Sequence, residues 1–263
     1  MENENKAIGV MDSGVGGLTV LKQLLNVCPN ENFIYFGDTK NLPFGEKTKE
    51  QLIEIVKNIF DYFEKQNVKA VIHACNTTSA TAYDELKDKY SFKIYPLVQT
   101  VAKCVMQDQG INKIAVMATQ ATVNSHKYKQ EIQKHNKNAE VFEQACPLFV
   151  PLVENTLKNA DKEKIIKSYL EPVLDFNPQK IILGCTHYPY LLNDLAKYTN
   201  KELFIDPSKI FAQYIKQDLE NNNLLSKNKS GSTKYIASSD PEKFEQNAKL
   251  FMKLDKMPEL VTI

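Results

Sequence analysis

Two kinds of segment alternate along the chain. Short apolar runs of four to six residues are separated by longer stretches in which apolar positions recur every three or four residues. The short runs predict strands at 7–11 (AIGVM), 33–36 (FIYF), 69–74 (KAVIHA), 93–97 (KIYPL), 113–118 (KIAVMA), 140–143 (EVFE), 180–184 (KIILG) and 202–205 (ELFI). An apolar run of that length suits a strand buried on both faces. The longer stretches predict helices. In 50–66, Leu52, Ile55, Val56, Ile59, Phe60 and Phe63 fall on one helical face. Strand–helix alternation of this kind implies an α/β protein with mostly parallel sheets covered on both faces.

The pattern also hints at a duplication. GVMDSG and a strand ending HACNTT in the first half are echoed by KIAVMATQAT and a strand ending ILGCTH in the second. Cys75 and Cys185 are 110 residues apart, about one domain length. Each follows a strand and precedes a predicted helix. Pro189 suits the first turn of the helix after Cys185, and Thr77, Thr78 or Ser79 could cap the one after Cys75. Ligands of parallel sheets bind at the carboxyl ends of strands, so the two half-sites would face each other across an interdomain cleft. Residues 221–234 are polar and predict a loop.

Composition narrows the possibilities. At 263 residues with 43% hydrophobic content, the chain can bury a large core or two. Lys and Arg number 33 against 32 Asp and Glu, a net charge of +1, which points away from nucleic acid as a partner. No apolar run reaches the ~18 residues of a membrane helix. MENENKAIGVMDSG is polar and passes straight into a strand, unlike a secretory signal, so a cytoplasmic location is expected. Five cysteines without a C-x-x-C pair argue for free thiols rather than a disulfide framework.

A free cysteine is usually a small buried hydrophobe, and Cys28, Cys104 and Cys146 are read that way. Cys75 and Cys185 are open to the same reading, but their position is special. A thiol at a helix N-terminus meets the positive end of the dipole and free N–H donors, which lower its pKa. A single thiol beside a histidine would suggest a covalent nucleophile. Two opposed thiols, one per half, suit another chemistry, in which one removes a proton beside a carboxylate and the other returns one to the opposite face. Asp12, at the end of the first strand, and His187, two residues after Cys185, could each hold a thiol proton. Asp12 could equally cap the helix that follows, and His187 could be an ordinary turn residue. Ser13, Asn76, Thr77 and Thr186 offer short donors and acceptors for carboxylate and ammonium groups. SGVGGLT (13–19) is neither nucleotide fingerprint and reads as a tight turn near a small anion. A Cys2His2 zinc site from His73, Cys75, Cys185 and His187 is a rival reading, as is a non-catalytic ligand-binding protein.

The strings IGVMDSGVGGLTVLKQL, IYFGDTKNLPFGEKT, ACNTTSA, ACPLFVPLVE and GCTHYPYL resemble the bacterial glutamate racemases in content, order and spacing. The match runs from about residue 7 to FIDP at 204–207. The resemblance implies an isomerase that interconverts L- and D-glutamate with no cofactor and no metal. Its product would feed peptidoglycan, and through it cell wall and cell shape. It further implies two pseudo-symmetric αβα sandwich domains, 1–98 plus 208–263 and 99–207, with the active site in the cleft between them, usually in a homodimer. The partner would be a small molecule, with no role for nucleic acid or membrane. By position, Cys75 matches the base acting on D-glutamate and Cys185 the one acting on L-glutamate. Asp12 would assist Cys75, while Glu154 and His187 would assist Cys185. Asp12, Ser13, Phe44, Gly45, Asn76, Thr77, Thr186 and His187 would bind substrate. The chain departs from the family at Phe44, where tyrosine is frequent, at Thr78, where alanine is common, and at His73. Aspartate is the rival substrate within the wider group.

Overall fold

Helix Lys49–Lys65 shows how the apolar pattern becomes a layer. Thr48 accepts the Gln51 N–H, and the Thr48 N–H donates to the Gln51 side chain, so the first turn is closed reciprocally. Val56, Ile59, Phe60 and Phe63 are buried and pack with Met11, Phe36 and Val71 on one face of a sheet. The computed structural model describes residues 3–263. The first two positions of the expected 1–98 segment lie outside the described residues.

The strands are β1 (Ile8–Asp12), β2 (Phe33–Gly37), β3 (Ala70–His73), β4 (Lys93–Pro96), β5 (Lys113–Ala118), β6 (Glu140–Ala145), β7 (Lys180–Gly184), β8 (Phe204–Ile205), β9 (Thr233–Ala237) and β10 (Glu259–Leu260). They form a six-stranded sheet, β10-β9-β2-β1-β3-β4, and a four-stranded sheet, β6-β5-β7-β8. Every pairing is parallel. The order β2-β1-β3-β4 repeats as β6-β5-β7-β8, which is the duplication suggested by the sequence. Each sheet is covered on both faces. One core joins the inner faces of both sheets through helices Leu97–Val105 and Pro207–Asn221, and separate cores cover the outer faces. Among the described residues no helix is long and apolar enough to cross a membrane.

β9 and β10 have no counterpart among the predicted strands, and three expectations need correction. The 221–234 stretch is a loop only in its middle, because Asn221 ends a helix and Thr233 begins β9. In 202–205 only Phe204 and Ile205 pair as a strand, since Lys201–Leu203 form a 3-10 turn capped by Asn200. Cys75 itself holds the N-cap position of helix Asn76–Thr81, so Thr77, Thr78 and Ser79 lie inside that helix.

The amino ends of β2 and β3, in the interior of the first sheet, are tied to the late part of the chain by a buried ion pair. Lys69 Nζ lies 2.6 Å from Glu31 Oε2 and also donates to the carbonyls of Glu4 and Leu224, at 2.6 and 2.7 Å. Glu31 Oε1 accepts the Ser226 N–H at 2.7 Å. Removing one member leaves a buried charge without its partner. Lys69→Met is therefore expected to lower unfolding free energy by about 3 kcal/mol in urea titration. A loss under ~0.5 kcal/mol would show the pair to be dispensable.

Candidate active site

Asp12 and Cys75 reach the same place because β1 and β3 are parallel neighbours, with Met11 opposite His73. Both chains leave the sheet just beyond that pair. After Asp12 the backbone turns sharply: the Gly14 N–H donates to Asp12 Oδ1 at 3.1 Å, and Tyr35 donates to the Gly14 carbonyl at 2.7 Å. Asp12 is thus a turn residue at the strand end. The N-cap of helix Leu18–Val27 is Gly17, so the capping alternative for Asp12 is set aside. In the second lobe β7 ends at Gly184 and Cys185 follows. His187 precedes a 3-10 turn, Tyr188–Leu191, with Pro189 in its first positions.

The two lobes meet closely at these strand ends. Thr77 and Thr119 hydroxyls are 2.9 Å apart, Tyr128 donates to Asn76 Oδ1 at 2.7 Å, and Thr19 donates to the Thr186 carbonyl at 2.9 Å. A Cβ at Gly16 would run into the His187 ring and the Thr186 hydroxyl, so glycine permits this approach. A cavity bordered by Thr19, Asn76, Cys185, Thr186, Asp206 and Ser208 has about 10 Å³, room for roughly one water. A separate hollow of about 670 Å³ is lined by Gly45, Thr48, Thr81, Gln120, Asn124 and Gln130. Phe44 is buried against Leu52 and Cys75.

Among the described residues, two buried polar atoms at this junction have no partner: Asp12 Oδ2, an acceptor, and Asn76 Nδ2, a donor. Unpaired buried groups are costly and call for an explanation. A zwitterion supplies one, since its ammonium suits the first and its carboxylate the second.

The electrostatics differ on the two sides. Burial raises the Cys75 thiol, and the neighbouring Asp12 charge raises it further, to about 12. The expected lowering by the helix N-terminus is overturned, because desolvation of the thiolate outweighs it. The charge of Cys185 raises Cys75 slightly further. Asp12 is raised by burial, despite the positive charge of His187 and the Gly14 N–H bond. Burial works against charging His187. Hydrogen bonds with Cys185 and Glu154, and their charges, overcome it and hold the imidazole at about 10. The geometry is a line: Cys185 Sγ to His187 Nδ1 is 3.9 Å, and His187 Nε2 to Glu154 Oε1 is 2.9 Å.

Glu154 ends the short helix Phe149–Val153 rather than starting one, and turns its carboxylate inward. Cys28 and Cys146 are buried, and Cys104 is half-buried. The four possible zinc ligands do not converge, since His73 bonds Thr78 and faces Phe60. Among the described residues no group of three or more His, Cys, Asp or Glu is disposed to hold a metal. Residue-by-residue reading missed Thr119 and Tyr128, the second-lobe partners of Thr77 and Asn76. Thr119 follows β5 and caps the next helix, so its place at the same sheet edge was the available signal.

A family profile described as Asp/Glu/Hydantoin racemase matches residues 8–215. The glutamate racemase 2 of Caldanaerobacter subterraneus subsp. tengcongensis is 38% identical over 259 residues, covering 97% of this chain and 97% of its own. A glutamate racemase of Carboxydothermus hydrogenoformans is 36% identical over 253 residues, covering 96% of this chain and 94% of its own. The crystal structure of glutamate racemase from Francisella tularensis subsp. tularensis in complex with D-glutamate matches with a TM-score of 0.90 at 34% identity, covering 98% of both chains.

The His187 line makes a prediction independent of activity. Glu154→Gln removes one of the charges that raise the imidazole, so its proton should leave at lower pH. NMR titration of the His187 ring should show the midpoint falling from its position near 10. An unmoved midpoint would rule out Glu154 as a cause.

Proposed function

The chain belongs to the Asp/Glu/Hydantoin racemase family of amino-acid racemases, and from that membership we propose that it interconverts L- and D-glutamate through two cysteines and no cofactor. The observation that carries the reading is the pairing of Cys75 and Cys185. They sit past equivalent strands, β3 and β7, of two sheets with the same strand order, and Asn76, next to Cys75, borders the same small cavity as Cys185.

In the D-to-L direction the Cys75 thiolate takes the α-proton. The C–H electrons stay on the α-carbon, stabilised by the adjacent carboxylate. Cys185 then gives its S–H proton to the opposite face. L-glutamate leaves with Cys75 as thiol and Cys185 as thiolate, and the L-to-D direction is the reverse. Asp12 assists Cys75. Glu154 acts through His187, which carries its proton at neutral pH and steadies the Cys185 thiolate. The substrate ammonium, arriving between Asp12 and Cys75, offsets the Asp12 charge that raises the thiol. Ser13, Asn76, Thr77, Thr186 and His187 bind the polar ends of the substrate, and Phe44 and Gly45 complete the wall. The reading extends to lobes of 1–98 plus 208–263 and 99–207 that open for exchange, to a homodimer, and to a cytoplasmic supply of D-glutamate for peptidoglycan.

Incubation with L-glutamate in D2O and no added cofactor should yield D-glutamate bearing α-deuterium. Cys75→Ser and Cys185→Ser should each lower turnover at least ~100-fold, and near-normal rates in both would exclude the two-thiol route. Comparing kcat/KM for glutamate with that for aspartate tests the substrate. Closure can be tested separately. Gly16→Ala should displace His187 and reduce kcat/KM about 100-fold while the protein stays folded, and an undiminished value would mean that the close approach is not needed.

A further inference from the structure

β9 runs parallel to β2 with Ala237 opposite Gly37, so the residues that follow each strand emerge side by side. Past β2 comes the segment that leads to Phe44 and Gly45. Past β9 come Ser238 and Ser239, which the proton transfer does not use. Ser238 is buried, and its hydroxyl makes two bonds. It donates to Asp38 Oδ1 at 2.6 Å and accepts the Lys40 N–H at 2.9 Å. Thr39 donates to the Ser239 carbonyl at 2.9 Å and accepts the Ser239 N–H at 3.2 Å. Asp38, Thr39 and Lys40 are thereby clasped by two residues that come some 200 positions later in the chain.

The clasp reaches the candidate site at both ends. On one side the Asp38 N–H donates to the Asp12 carbonyl at 3.0 Å. On the other, Asp38 Oδ2 accepts from the Asn41 side chain at 2.8 Å, across the 3-10 turn Thr39–Asn41. Beyond that turn Phe44 joins Leu52 and Cys75 in one small buried cluster. Gly45 comes so near the second lobe that a Cβ on it would lie 3.6 Å from the Thr119 side chain. Without the Ser238 hydroxyl, Asp38 Oδ1 loses its donor and the Lys40 N–H its acceptor. Asp38 is 1% exposed, so water does not replace the donor. We propose that Ser238 is a positioning residue: by holding Asp38 and Lys40 it sets where the 38–45 segment lies, and so where Phe44 and Gly45 wall the substrate. The proposal rests on the reading in which that wall borders glutamate.

Limited trypsin digestion followed by mass spectrometry reads the clasp directly. Lys40 is exposed within it, and Lys158, exposed in the second half of the chain, serves as the reference. In Ser238→Ala, cleavage after Lys40 should quicken about tenfold while cleavage after Lys158 stays within about twofold. The KM for glutamate should rise about tenfold with kcat changed less than about threefold, because a displaced wall weakens the binding of substrate and transition state alike. An unchanged rate at Lys40 overturns the proposal. Equal acceleration at both lysines also overturns it, since that marks a general loss of stability. Faster cleavage at Lys40 with KM unmoved overturns it too, because the clasp would then have no part in the site. If the unaltered protein fails to racemise glutamate while Lys40 responds as described, the hold on the segment stands and the glutamate reading falls. Should Ser238→Ala not fold, Thr39→Val, which keeps the shape of threonine and drops its bonds to Ser239, decides by the same measurements.

Discussion

Parallel strand pairing is the constraint on which the rest of the molecule depends. With every strand in a sheet pointing the same way, all carboxyl ends fall on one edge, and polar side chains can gather there without entering the core. Met11 opposite His73 fixes where Asp12 and Cys75 emerge, and the pairing of Ala118 with Gly184 does the same for Thr119 and Cys185. A slip of one residue in either register would turn these side chains to the wrong face. The shared core between the sheets then holds one polar edge against the other.

The central strands were legible because each is a continuous apolar run, the signature of burial on two faces. β9 and β10 were not, for a physical reason. β9 begins inside a polar stretch, and the exposed Glu259 and Leu260 form only a two-residue ladder. The place of β9 comes from long-range pairing with β2, and that of β10 from pairing with β9, which local pattern does not carry. The two cysteines were legible as strand-end thiols, but the acidity of Cys75 was misjudged, since a sequence shows the helix that follows a thiol and not the burial around it. Glu154 came only through resemblance. Its carboxylate matters because the chain folds back to bring it to His187, 33 residues later, a contact without a local signal. Thr119 and Tyr128 were hidden for the same reason.

The two halves share a strand order yet solve the same electrostatic problem differently. On the second-lobe side a carboxylate and an imidazole are in line with Cys185, and charge is balanced by charge. On the first-lobe side Asp12 carries the same sign as a thiolate, and the nearby imidazole of His73 is neutral. Duplicated architecture therefore does not give duplicated charge surroundings. The side chains that line each strand end determine them.

β9 and β10 have a further consequence for how the chain is made. The four-stranded sheet comes from one uninterrupted stretch, β5 to β8, and all its strands have been synthesised once Ile205 has been added. The six-stranded sheet starts earlier but waits longer, because β2 keeps an open edge until Thr233–Ala237 arrives. During translation the lobe begun second has its full set of strands first, and the nascent chain carries an unfinished edge through most of its passage from the ribosome.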